Sequence, residues 1–401
     1  MENVQEIKKS DCTGCKLCET VCPVNAVYFK TDEEGFWYPF VNYDNCINCG
    51  KCIKMCPSLN EELRTRGNSP EIYAAWTKDE EIRLKSTSGG VFFEIAQLFI
   101  KEGGAVAGCR YTSEWRGAGH FLAWDMEGLT KVMGSKYYQS NTSGIYEQVK
   151  MAADEGKKVL FAGSPCQICA IKTYMGKKYN NIYFLDFICR SINSPKAFKA
   201  YIDELEKVYQ SKVVDVRLKD KTKGWQSLAS HIYFENGREY LHDRSDDCWI
   251  KGFIFNDLYT RESCYHCKYR QLPRVTADIS IGDFWGIKGQ SQEDMFKGIS
   301  VMLLNTERGK ELFNSVKEKL VYERHTLPEV IEGNPALINS PVRTKKQDKF
   351  FKLLERYSFS YAVNRCINDN LIKKVLGKVK RDFIRAKRII IKLRKTQNIY
   401  E

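Results

Sequence analysis

After residue 70 the chain alternates short apolar runs with polar breaks. The runs "IYAAWT" (72–77), "AVAGCRY" (105–111), "KKVLFAG" (157–163) and "NIYFLDFIC" (181–189) have strand length and strand composition. Between them, "GGVFFEIAQLFIKEGG" (89–104) has the spacing of a buried helix closed by glycine, and "PCQICAIKTYMGKKY" (165–179) that of a second. Strand–helix–strand alternation predicts an α/β domain with a largely parallel sheet. Residues 213–240 read differently: "VVDVRLKD" and "LASHIYFENGREY" suit antiparallel strands turned at Asn236-Gly237. The polar stretch "NEELRTRGNSP" (60–70) reads as a linker between this region and a small cysteine-rich module before it. Near the C-terminal end Ile372, Val375, Leu376, Val379, Phe383, Ala386, Ile390 and Leu393 recur at steps of three and four, one face of an amphipathic helix.

Composition sharpens this picture in two places. The 401 residues suffice for two or three domains with a sizeable core. The net charge is +13, but residues 371–395 hold eleven Lys/Arg against one acid, Asp382, so the excess is local. A whole-surface nucleic-acid interface is not expected, and no nucleic-acid partner is assigned. The basic helix either docks on protein or lies on an anionic membrane surface, and its charge favours the membrane. "MENVQEIKKSD" lacks the apolar core of a signal peptide, and no run reaches the ~18–20 apolar residues of a spanning helix. The expected location is cytoplasmic, with the tail able to hold the protein at the inner membrane face. In that reducing compartment sixteen cysteines read as metal ligands or redox groups rather than disulfides. Cys109, Cys248 and Cys366 suit core thiols; eight cysteines before residue 57 do not.

Cys12, Cys15, Cys18 and Cys22 follow C-x2-C-x2-C-x3-C-P, and Cys46, Cys49, Cys52 and Cys56 repeat it. Three close thiolates on one loop can wrap three irons of an Fe4S4 cube, and the fourth comes from the other run. One cluster then takes Cys12, Cys15, Cys18 and Cys56; the other takes Cys46, Cys49, Cys52 and Cys22. Pro23 and Pro57 turn the chain away after the fourth ligand, and Gly14 and Gly50 let the backbone pass close to the core. Zinc would favour one tetrahedral set built from two separated pairs, which two triplets with cysteine-proline tails fit poorly. Residues 5–60 resemble bacterial two-cluster ferredoxins.

A third set lies in "GSPCQ" (163–167), "DFICRS" (186–191) and "CYHCKYR" (264–270). Cys166 and Cys189 each follow a strand, at the carboxyl edge where open α/β sheets bind ligands. Cys264 and Cys267 can join them there. From spacing alone a four-cysteine zinc site, a Cys166/Cys169 dithiol and a single reactive thiolate at a helix N-terminus stay open. "STSGGVFFE", "GSKYYQS" (134–140), "FAGSPCQICAIK", "DFICR", "CYHCKYR" and "ADISIGDFWG" (277–286) resemble the beta subunits of coenzyme F420 hydrogenases and dehydrogenases over roughly residues 70–330. The resemblance implies a third Fe4S4 cluster on Cys166, Cys189, Cys264 and Cys267, an FAD, and two-electron exchange with an organic molecule. It also gives the overall expectation: an α+β ferredoxin-like domain (1–62), an α/β domain with a mixed sheet (70–345) and a helical basic tail (346–401).

For the flavin, Ser88, Gly89 and Gly90 before an apolar helix offer a phosphate site or a plain helix cap. Ser135, Lys136 and Tyr137 offer a hydroxyl, a charge and a stacking ring, with Ser164 beside Cys166. The G-x-G-x-x-G fingerprint is missing. "RLKDKTKGWQS" (217–227) brings Lys221 towards an anionic substrate, and Asp283 and His231 are candidates for moving protons. The leading expectation is an iron–sulfur flavoprotein oxidoreductase. It takes electrons from a ferredoxin or another redox protein and acts on a small anionic organic substrate, either F420-like or a glycan or nucleotide-sugar precursor of polysaccharide biosynthesis. The rival is a relay subunit that keeps the clusters and delivers electrons to a partner enzyme.

Overall fold

The computed structural model describes residues 1–64, 69–270, 272–273 and 277–367. Its strands are, in chain order, β1 (Val27–Thr31), β2 (Trp37–Val41), β3 (Glu71–Thr77), β4 (Ala105–Tyr111), β5 (Ala118–Ala123), β6 (Val159–Gly163), β7 (Ile182–Phe187), β8 (Val213–Asp220), β9 (Ala229–Phe234), β10 (Glu239–His242), β11 (Ile279–Asp283), β12 (Ser300–Leu304) and β13 (Leu320–His325). Eight of them form one sheet in the order β13-β3-β12-β11-β7-β6-β4-β5. The centre, β11-β7-β6-β4, is parallel; β5 on one side and β12, β3 and β13 on the other are antiparallel. The expected α/β domain with a mixed sheet is therefore present.

Helices cover both faces because the parallel strands are apolar on both sides. On one face the helix Val91–Lys101 buries Ile95 and Phe99 against Val106, Leu160 and Leu185. Each side chain of that size contributes ~2 kcal/mol on burial. On the other, Ile145–Asp154 and Pro165–Met175 pack with Phe161 and Ile182. Leu17 and Val21 of the N-terminal module join this second cluster, so the module's apolar side is buried on the body.

The module consists of the β1–β2 hairpin and two four-residue helices, Leu17–Thr20 and Lys51–Lys54, one in each cysteine run. The repeat extends to the backbone: Gly14 and Asn48 have φ of +68° and +52°, Lys16 and Gly50 of +60° and +67°. The two glycines thus occupy different positions of the repeated loop.

Strands β8, β9 and β10 form a separate antiparallel sheet, with Gly237 at φ +79° in the β9–β10 turn as the Asn-Gly pair predicts. Helix Pro195–Tyr209 packs on it through Phe198, Tyr201 and Ile202. The expected tail boundary at 346 falls inside the helix Lys345–Leu354. Phe350 and Phe351 of that helix, and Phe359, Ala362, Val363 and Cys366 after it, are buried in the same core. Residues 345–367 therefore belong to the body. The amphipathic helix expected over 372–393 lies outside the described residues. Among the described residues no helix is long and apolar enough to cross a membrane.

Candidate functional site: three cavities, each lined by four cysteines

Cys12, Cys15, Cys18 and Cys56 line one cavity of about 330 Å³. Cys22, Cys46, Cys49 and Cys52 line a second of about 380 Å³. In each, the fourth cysteine crosses over from the other run. Cys18 lies within electrostatic reach of Cys15, Cys12 and Cys56, and then of Cys52 across the module. Both are lined only by residues of the N-terminal module, and the second carries the exposed Cys49.

Cys166, Cys189, Cys264 and Cys267 line a third cavity of about 570 Å³. The sheet explains their meeting. Cys166 is the second residue of helix Pro165–Met175, directly after β6, and Cys189 follows the parallel neighbour β7. Ser164 starts the helix with a capping box to Gln167, Pro165 is its first residue, and the Ser164 hydroxyl lies 3.2 Å from Cys166 Sγ. Cys264 sits in the short helix Glu262–Tyr265, and the Ile192 amide donates to its sulfur at 3.3 Å. Cys169 does not line this cavity; it is buried with Tyr269, packed against Cys166 and Cys267, with its Sγ towards the Leu63 carbonyl.

Two residues, Thr13 and Ser58, line both the first and the third cavity. The body grips the loop between them. Arg261 Nε donates to the Cys12 carbonyl at 2.9 Å, and the Thr142 and Tyr146 hydroxyls both donate to the Cys15 carbonyl at 2.8 Å. Lys268 bonds the Ser58 carbonyl at 2.8 Å and pairs with Asp11 at 2.6 Å. None of these anchors is visible in the motif spacing.

Burial pushes the Cys56 and Cys264 thiols up to about 12 and the Cys18 and Cys166 thiols well above their usual range. Burial therefore outweighs the helix N-terminus at Cys166, and a free reactive thiolate there is disfavoured. Such thiols deprotonate when a cation takes the proton's place. Among the described residues no group of three or more His, Cys, Asp or Glu is drawn together tightly enough for a single metal ion. A cubane spreads its four thiolates over separate irons, and an all-cysteine set of four is the donor set it takes.

The residues expected to hold a flavin are engaged within the protein, and none lines any of the three cavities. Ser88 Oγ donates to the Ile299 carbonyl at 2.9 Å, and the Gly89 amide donates to Ser300 Oγ at 2.9 Å. A Cβ on Gly89 would lie 2.4 Å from the Ala75 carbonyl oxygen, so this glycine permits strand packing. Gly90, at φ +85°, starts the helix Val91–Lys101. Ser135 bridges to Leu218, Lys136 Nζ donates to the Met133 carbonyl, and Tyr137 packs against Phe253. Ser164 is a helix cap. These contacts occupy the seven residues within the protein itself.

The candidate catalytic residues likewise have separate partners. His231 bonds Tyr233 and Glu239 within its own hairpin. Lys221 Nζ donates to the carbonyls of Arg83, Ser88 and Lys297, which pins that loop. Asp283 pairs with the buried Lys219 and accepts from Trp225 Nε1 at 2.8 Å, while Trp225 stacks on Trp285 at 4.6 Å. Among the described residues no hydrogen bond joins any two of Asp283, His231 and Lys221.

Comparison with known proteins agrees with the cysteine geometry. Residues 11–60 match the 4Fe-4S dicluster domain family, and residues 156–330 match the family described as the C terminus of the coenzyme F420 hydrogenase/dehydrogenase beta subunit. The chain is 23% identical over 338 residues to the F subunit of the F(420)H(2) dehydrogenase of Methanosarcina mazei, covering 79% of this chain and 86% of that one. It is 34% identical over 327 residues to the coenzyme F420-dependent sulfite reductase of Methanocaldococcus jannaschii, covering 77% of this chain and 46% of the reductase. A chain of the F420-reducing NiFe hydrogenase complex from Methanosarcina barkeri aligns in three dimensions at TM-score 0.45 and 18% identity, over 76% of this chain and 92% of its own length. The chain therefore joins a 4Fe-4S dicluster domain on its N-terminal side to a domain that matches the C terminus of coenzyme F420 hydrogenase/dehydrogenase beta subunits, and is an iron–sulfur protein similar to those oxidoreductase subunits.

Proposed function

We propose that this protein is a three-cluster electron relay of the F420-related oxidoreductases, serving a partner enzyme rather than carrying its own organic chemistry. Cys22, Cys46, Cys49 and Cys52 hold an outer cluster, Cys12, Cys15, Cys18 and Cys56 an inner one, and Cys166, Cys189, Cys264 and Cys267 a third in the body. Iron–sulfur clusters supply one-electron storage and transfer when bound. The chain fixes their order. Its outer loop presents Cys49 to solvent, its inner loop is clamped by Arg261, Thr142, Tyr146 and Lys268, and its body cavity opens on the same Thr13 and Ser58 that line the inner one.

The observation that carries this reading is the cavity pair sharing Thr13 and Ser58, one in the module and one in the body. The self-satisfied contacts of Lys136, Ser88 and Lys221 favour a relay over a flavoenzyme. Anaerobic purification or reconstitution tests it by iron, acid-labile sulfide and flavin analysis. The expected result is about twelve irons and as much sulfide per chain, with no flavin released on denaturation, and about eight irons in Cys264→Ser. Zinc in place of iron, eight irons in the unaltered protein, or stoichiometric flavin would reject it.

A further inference from the structure

Arg261 is fully buried and separated by 249 residues from the cysteine it touches. Its Nε donates to the Cys12 carbonyl at 2.9 Å, Nη1 to Gln139 Oε1 at 3.0 Å and Nη2 to the Trp37 carbonyl at 3.0 Å. The same Nη2 lies 3.7 Å from Cys12 Sγ. The guanidinium faces the rings of Tyr38 at 4.3 Å and Phe36 at 5.4 Å. Among the described residues no carboxylate pairs with it. A buried cation without a counter-charge is costly. Dipoles and aromatic faces solvate this one, but they leave its unit charge uncancelled. The sulfur that it touches is that of Cys12, and Arg261 also lines the third cavity with Cys166, Cys189, Cys264 and Cys267. Its own carbonyl accepts from the Cys264 amide at 2.9 Å, so one residue is attached to a ligand loop on each side.

We propose that Arg261 sets the reduction potential of the inner cluster, making that position the preferred resting place of an electron. The inference rests on Cys12, Cys15, Cys18 and Cys56 holding that cluster. Reduction adds one electron and no proton, so the four-thiolate cube becomes one unit more negative. A fixed cation 3.7 Å from one of its sulfurs, in a dry interior, stabilises the reduced form more than the oxidised form. Gln139 is the one side-chain oxygen that accepts from Arg261 in this set, which makes it the place to cancel the charge without removing the arginine.

The test is anaerobic potentiometric titration followed by electron paramagnetic resonance on the full chain. The inner step is identified as the one whose signal changes in Cys18→Ser. In Arg261→Gln the inner step is expected to move to lower potential by a tenfold or greater fall in the one-electron reduction constant, about 59 mV. Gln139→Glu, which sets a carboxylate against the guanidinium, is expected to move it the same way, and Arg261→Lys to hold it near the unaltered value. Where Arg261→Gln fails to keep the inner cluster, Gln139→Glu decides. An unmoved inner step in Gln139→Glu, or an equal fall in Arg261→Gln and Arg261→Lys, would overturn the proposal. Iron-free or zinc-loaded unaltered protein would instead defeat the relay itself.

Discussion

Gly14 meets two constraints at once. Its φ of +68° is a region that L side chains enter at ~1–2 kcal/mol, and an added Cβ would stand 2.2 Å from Gln139 Nε2 and 3.1 Å from Arg261 Cζ. Gly50 shares the conformation, at φ +67°, but its added Cβ would meet nothing within 4 Å. Gly14→Ala is therefore expected to cost ~2–4 kcal/mol through strain plus crowding of the arginine, against ~1 kcal/mol for Gly50→Ala. The midpoint of anaerobic denaturant unfolding measures both, and iron content shows whether the inner cluster is kept. Equal losses in the two variants would mean that the contact with Gln139 and Arg261 is loose. In the sequence both glycines read as loop residues close to a cluster core, because the spacing carries no trace of what lies 120 or 250 residues further on.

At the scale of elements, helix Pro165–Met175 delivers Cys166 to the body cavity, and its start is fixed locally by the Ser164–Gln167 capping box. Ser164→Ala removes one cap bond and the contact to Cys166 Sγ, with an expected loss of ~1 kcal/mol. The same unfolding measurement reads it, and the iron count is expected to stay the same. Loss of four irons would mean that the hydroxyl holds the ligand as well as the helix. In the sequence Ser164 stood only as a flavin candidate and this capping box was missed, whereas the apolar runs that became β3, β4, β6 and β7 were legible. The return of β12 and β13 to pair with β3 was not, because antiparallel pairing across more than 200 residues leaves no periodic mark. Residues 345–367 resembled the basic tail since lysines cover the outer face of a helix whose Phe350 and Phe351 are buried. The two N-terminal cysteine runs were readable because each is one contiguous loop. The body set draws on three separated segments, and only a family resemblance joined them. "STSGG" is ambiguous in sequence, because a glycine that admits a neighbouring strand looks the same as one that admits a phosphate.

For the whole molecule, the three cavities differ in access, and that gives the proposed relay a direction of approach. The outer cavity's rim exposes Cys49, with Ile47 62% and Tyr43 57% exposed beside it. The inner cavity lies against the body, where the Cys12 and Cys15 carbonyls accept bonds from Arg261, Thr142 and Tyr146. The third sits at the carboxyl edge of β6 and β7, where the module contributes Ser10, Asp11, Thr13 and Ser58 to its lining. A protein donor, too large to enter, meets the outer site first. Cys49→Ser weakens the outer cluster without touching either of the other ligand sets. Reduction of the body cluster by a reduced ferredoxin is then expected to slow by roughly tenfold or more, the scale on which a weakened metal site alters activity. Dithionite, small enough to approach by other routes, is expected to lose much less. Stopped-flow absorbance with the two donors separates them. A ferredoxin rate unchanged in a variant shown to lack four irons would mean that electrons enter through the body, and the order of the three sites would have to be reversed.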